Sequence, residues 1–422
     1  LASTVTFGSG VHWIGPGTVY VRNQRKQIFQ AQNADEVSVE GITIEVLAES
    51  CGSNNATCSA ISWASTSSDA QAHMHVSVRN NIIHRSNWGI LIGYAAGRGS
   101  LSDVEIEGNV INSPAPYGDA DGIHVGGRVS RFSILNNRVS NRGDAGVAAS
   151  SEVPNYICSG GVIENNLLIE DQVGLDNSGC TNTLWKGNFV RATLRPRGSN
   201  PAFRSITYLG MTSANVTVLG NYFQNGAGFG EYAAKVDEVA GRSHTNAFFW
   251  GNTIASPLAL YLRGSRMEVA GNVFTSDNAM LTVDYDGPHS IATDSVSIGG
   301  NRWRGSGTIR SGDNPGLVSN LRLKPQAVNG PLAYQGGVVR GALHKESGSE
   351  PILRGQTAAI GARPLAAGEC FFAEANVRGA AVTMSALVTS SGRLPESLIA
   401  WAFVSSPGVV VVRTCAVQEA AL

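Results

Sequence analysis

Two short segments carry residue types suited to acid–base chemistry on a sugar bond. They are Gly118-Asp119-Ala120-Asp121-Gly122-Ile123-His124 and Gly143-Asp144-Ala145-Gly146-Val147. Hydrolysis of a glycosidic bond needs two carboxyl groups, one to protonate the leaving oxygen and one to activate water or attack carbon. Crowding of like charges raises one of the two pKa values and supplies the acid at neutral pH. Asp121 and Asp144 are the expected pair, with Asp119 and Asp176 as alternates. Asp is also an ordinary turn residue, so clustering rather than residue type singles these four out. His124 is expected to bind sugar or carry a proton beside Asp121. Arginines surround the segments at Arg131, Arg138, Arg142, Arg191, Arg195, Arg197 and Arg204. Guanidinium forks suit the carboxylates of acidic sugars. Arg142, Arg197 and Arg204 are therefore expected to bind substrate, with Tyr208 offering a ring for stacking.

The elements that would hold these residues are legible as a repeat. An alternating apolar pattern, then Gly or Asn, then Asn, recurs with its Asn at 81, 109, 137, 166, 188, 221, 252, 272 and 301. Period-two alternation marks a strand with one buried face. The Gly-Asn or Asn-Asn step marks a fixed bend, because both residues tolerate left-handed backbone. A stacked Asn can join a ladder of side-chain amides. The pattern is constant and the intervals are not, which predicts loops of different length at another corner. A second strand follows in many rungs, around Gly89-Ile90, Gly122-Ile123, Gly146-Val147 and Gly174-Leu175. Aligning those glycines points Ile90, Ile123, Val147 and Leu175 inward, and Leu91, His124, Ala148 and Asp176 outward. Adjacent rungs place such groups about 5 Å apart.

These features predict an all-β chain: a right-handed parallel β-helix with a small C-terminal antiparallel β-sandwich domain. The expected division is a parallel β-helix over 1–310, a connecting region over 311–345 and the C-terminal β-domain over 346–422, which would cap the open end of the solenoid. The composition agrees, with 50 glycines and only 15% charged residues in 422. A net charge of -1 argues against nucleic acid as a partner, and no apolar run approaches the roughly 20 residues of a membrane span. Leu1 to Thr6 lack an initiator Met and a signal pattern, which reads as a fragment or processed product. Six cysteines pair naturally as Cys51 with Cys58, Cys158 with Cys180 and Cys370 with Cys415, suiting an extracellular protein. No CxxC pair or His-rich cluster points to a metal, and no cofactor is expected.

The Asp121-Gly122-Ile123 rung followed by Asp144 resembles the polygalacturonase-type glycoside hydrolases. Their pattern is Asn-Thr-Asp-Gly, then Asp-Asp, then Gly-His-Gly on successive rungs. Asp121 matches the first Asp and Asp144 the first of the pair, whereas Ala145 and Val173 stand where the second Asp and the His belong. The C-terminal segments Pro364 to Cys370, Arg378 to Val382, Trp401 to Ser405 and Val410 to Cys415 resemble bacteriophage tailspikes with a pectate-lyase-like β-helix. That resemblance implies a homotrimeric polysaccharide depolymerase on the virion tail, outside the cell, binding and hydrolysing bacterial capsule or O-antigen. Three alternatives are a polysaccharide lyase on the same fold, a non-catalytic receptor-binding adhesin and a secreted pectin-type enzyme.

Overall fold

A computed structural model describes residues 4–48, 51, 58–66, 68–93, 99–113, 120–151, 156–192, 201–207, 212–225, 231–237, 244–283, 293–311, 318–319, 321–324, 326–328, 332–335, 344–345, 370–382, 386 and 398–416. The chain is a parallel β-solenoid. One face is a sheet of 13 strands running from Val5–Phe7 to Leu332–Gln335, each pairing in parallel with the corresponding strand of the next rung. The other two faces belong to a second sheet. Long strands such as Val129–Leu135 alternate in it with short ones such as Arg138–Ser140. The parallel ladder runs past Arg310, since Gly307–Ser311 pairs with Leu332–Gln335 and Arg322–Leu323 with His344–Lys345.

The repeat pattern explains how the coil closes. Between the long and short strand of each rung, the residue before the recurrent Asn takes a left-handed φ of 55° to 66° (Asn80, Gly108, Asn136, Asn165, Gly187, Gly220, Gly251, Gly271 and Gly300). The recurrent Asn then turns inward and is buried. Its Nδ2 donates to the Oδ1 of the next Asn at 2.9–3.0 Å, from Asn81 through to Asn301. The backbone N–H of each Asn from Asn81 to Asn272 donates to the same oxygen, and that of Asn301 to Gln326 Oε1. The second amide proton goes to a carbonyl of the preceding rung, as from Asn137 to Ile106 and from Asn166 to Ile134. Every amide is thereby satisfied, which matters because an unpaired buried polar group costs about 1–3 kcal/mol.

The glycine column closes a different corner. A Cβ on Gly89, Gly122, Gly146 or Gly174 would stand 2.9, 2.3, 2.4 or 1.9 Å from a side-chain carbon of Ile111, Val139, Leu168 or Val190. The facing short strand thus packs directly on bare backbone. The core lies between the faces, with Ile90, Ile123, Val147, Leu175 and Phe203 in one register column and Ile106, Ile134, Ile163, Trp185 and Val218 in another. Disulfides join Cys51 to Cys58, Cys158 to Cys180 and Cys370 to Cys415.

The described C-terminal structure is a three-stranded antiparallel sheet of Cys370–Asn376, Leu398–Ser406 and Val409–Ala416, with the last strand central. It does not cap the end of the solenoid as the sequence suggested. It docks on the flank, midway along, over the outward residues Leu167, Phe189 and Tyr222 of successive short strands. Trp401 packs 5.5 Å from the Phe189 ring and donates through Nε1 to the Gly220 carbonyl. Arg413, itself buried, donates to the Asn165 carbonyl at 2.7 Å and to the Gly187 carbonyl. The physical reason is apolar area: these outward positions carry large apolar side chains and need a cover, which the sheet supplies.

Candidate active site

The 13-stranded sheet carries His124, Asp176 and Arg204 in one outward column. Register pairs Leu91 with His124, His124 with Ala148, Ala148 with Asp176 and Asp176 with Arg204. Lys235 and Tyr261 continue the column. The outward orientation read from the glycines is the observed one, but outward is not exposed here. His124 is 2% exposed, Asp121 4% and Asp176 6%. The site is sunken.

Asp121 stands two residues before strand Ile123–Gly126. Its Oδ2 accepts the Nδ1–H of His124 at 2.7 Å, and its Oδ1 accepts the Ala145 backbone N–H at 2.8 Å from the next rung. A carboxylate partner on Nδ1 assigns the proton to that nitrogen and makes Nε2 the basic one in the neutral ring. Trp88 packs edge-to-face on His124, with ring centroids 5.5 Å apart. Asp144 lies in the turn before the next strand and is half-buried. Ala145 follows Asp121 across the rung step, and Asp144 is one residue before it. Rung and residue spacings then put the Asp121 and Asp144 Cα atoms roughly 6 Å apart.

Two rungs from His124, Asp176 accepts Arg204 Nε at 3.1 Å and Nη2 at 2.5 Å, a two-pronged pair, and also the Ser178 hydroxyl at 2.9 Å. Burial pulls the Arg204 pKa down, but Asp176, then Asp144 and Asp121, outweigh it and raise the pKa above the usual guanidinium range. Asp121, Asp144 and Asp176 belong to three successive rungs. Beyond them, Lys235 bridges Glu231 and Asp237 at 3.6 and 3.0 Å, and Arg263 pairs with Asp237 at 3.0 Å.

Arg142 does not face this surface. It is 1% exposed, and its guanidinium donates to the carbonyls of Ser86, Asn87 and Asp121. Burial and three backbone acceptors make it part of the wall behind the site, in place of the substrate-binding role expected from sequence. Asp119, Arg197 and Tyr208 lie outside the described residues. Ala145 and Val173, at the places of the second Asp and the His in the polygalacturonase pattern, form a buried apolar cluster with Ala148. Sequence reading missed Asp171, fully buried behind the site. Burial pushes its carboxyl well above the usual range, against the hydrogen bond from the Arg142 N–H. Its place beside a column glycine was the available signal. Among the described residues no three His, Cys, Asp or Glu side chains converge as metal ligands.

No family model matches the chain and no curated protein matches it. Several solved structures do. A mutant tailspike protein of Escherichia coli bacteriophage HK620, in complex with a pentasaccharide, is 11% identical with a TM-score of 0.44, over 99% of this chain and 85% of that one. The catalytic domain of a GH87 α-1,3-glucanase in complex with tetrasaccharides is 12% identical, TM-score 0.42, over 82% and 62%. The A-module of Azotobacter vinelandii mannuronan C-5 epimerase AlgE4 is 11% identical, TM-score 0.39, over 82% and 85%.

Proposed function

We propose that this protein binds and cleaves a bacterial surface polysaccharide, capsule or O-antigen, by glycosidic hydrolysis on the outward face of the 13-stranded sheet. The observation that carries the reading is the buried Asp121–His124 pair and, two rungs on, the Asp176–Arg204 pair, with Asp144 in the rung between them. Asp144, the half-buried member, supplies the carboxyl that reaches substrate. Asp121 is its partner across one rung, fixed by His124 and the Ala145 N–H. Asp176 and Arg204 form the charged floor against which sugar hydroxyls or carboxylates dock. Three disulfides suit work outside the cell. The reading extends to a homotrimeric spike on a virion tail, testable by native mass.

Asp144→Asn and Asp121→Asn should each lower release of reducing ends from the polysaccharide by about 10²–10⁴-fold, with the fold intact by circular dichroism. Full activity in both variants would refute the assignment. The Asp121–His124 dyad favours one second reading, β-elimination with His124 as base. Products with a new ultraviolet-absorbing double bond would select it. Binding without any shortening of the chain would leave an adhesin.

A further inference from the structure

Asp121 and the segment leading into Trp88 both rest, through their backbone carbonyls, on the buried charge of Arg142. Arg142 Nη2 donates to the Asp121 carbonyl at 2.9 Å, the same oxygen that accepts the Gly89 N–H at 3.1 Å. Its other donations go to the Ser86 carbonyl at 3.2 Å and the Asn87 carbonyl, the two residues before Trp88. One guanidinium therefore fixes the peptide that aims Asp121 and the peptide that leads into Trp88. Those two residues hold His124, one by hydrogen bond and one by ring contact. Arg142 is held in turn, because its backbone N–H donates to Asp171 Oδ1 at 2.9 Å. On the far side, Gln24 Oε1 accepts the Asn87 N–H at 3.0 Å, and the Ser86 hydroxyl donates to the Trp88 carbonyl at 2.6 Å. Gln24, Ser86, Arg142 and Asp171 are each 1% exposed.

Burying a guanidinium is costly unless matched acceptors surround it. The neighbouring corner of the same coil manages with neutral Asn throughout, so closure of a rung does not require charge. We infer that Arg142 is a positioning residue for the Asp121–His124 dyad, acting through a buried spine from Gln24 to Asp171. The inference rests on the proposed reaction for its kinetic consequence and on geometry alone for its effect on His124.

The test is Arg142→Lys, which keeps the charge and loses the planar fork. Two readouts are needed: kcat and KM on the polysaccharide, and the ring signals of His124 followed by NMR against pH without substrate. The expected result is a kcat reduced by about 10–100-fold, KM within about threefold, and a displaced His124 titration. A folded Arg142→Lys protein with wild-type kcat and wild-type His124 titration overturns the inference. If the wild type cleaves nothing but the His124 titration still moves, the reaction is wrong and the positioning stands. Should Arg142→Lys fail to fold, Ser86→Ala removes the hydroxyl's bonds to the Trp88 carbonyl and to the Gln24 side-chain amide, and leaves the Ser86 carbonyl that Arg142 uses. It should lower kcat by about 3–10-fold and move the His124 signals, and no change in either overturns the inference.

Discussion

Two buried polar columns run through this solenoid, and they are built on opposite principles. At one corner, nine asparagines from Asn81 to Asn301 repeat one hydrogen-bond pattern, and each rung presents the same acceptor to the next. At the other, Gln24, Ser86, Arg142 and Asp171 differ at every step, and each makes bonds no other rung could copy. Uniformity serves stacking, since any rung fits any neighbour. Irregularity serves place, since only one rung acquires an oriented Asp121. The candidate chemistry lies beside the irregular column.

That contrast can be broken by substitution. The largest expected effect is from Asn166→Ala, which removes the amide bonded to Asn188 and to Ile134 and strands two donors of Asn137. At about 1 kcal/mol per bond plus the cost of stranded groups, stability should fall by about 5 kcal/mol, seen as a lowered denaturant midpoint. The folded fraction should keep its specific activity, and a selective loss of kcat would erase the distinction between the columns.

His244 belongs to neither column and calibrates both. Burial pushes its pKa down to about 3, against about 6.5 when unfolded. The unfolded chain binds the extra proton, so His244 contributes stability that is present above pH 6.5 and lost as pH falls toward 3. The loss amounts to roughly 5 kcal/mol. Denaturant titrations should show stability falling across that window, with a flatter profile in His244→Asn.

Arg413→Met sharpens the comparison at the flank, where a second buried guanidinium meets backbone carbonyls. Stranding those carbonyls should weaken docking of the C-terminal sheet by about 2–3 kcal/mol, and limited proteolysis should then release it while the solenoid survives. The smallest effect is a gain. Asp171 holds its proton more tightly when folded. Its contribution to stability is therefore complete below about pH 4 and lost as pH rises through the raised value. Asp171→Asn keeps the acceptor for the Arg142 N–H, so it should melt higher than wild type at pH 7, and the advantage should vanish near pH 4.

The two columns also differ in how far they can be read from sequence. Asn ladders and glycine corners repeat a residue type, so their register is visible, and with it the outward column of His124 and Asp176. Arg142 was opaque because its acceptors are backbone carbonyls, which have no residue signature. The docked C-terminal sheet did leave a trace. Leu167-Leu168-Ile169 and Phe189-Val190 are continuously apolar where a strand covered on one face would alternate.

Arg413 reaches Asn165 and Gly187 across 248 and 226 residues of sequence. Those two acceptors are the left-handed residues that introduce Asn166 and Asn188, so they stand one rung apart only when both turns have wound correctly. A coil with a slipped rung would offer the arriving sheet the wrong spacing and leave a guanidinium buried without acceptors. The last described strand thus docks on turns laid down far earlier, and its fit depends on those two turns standing in register.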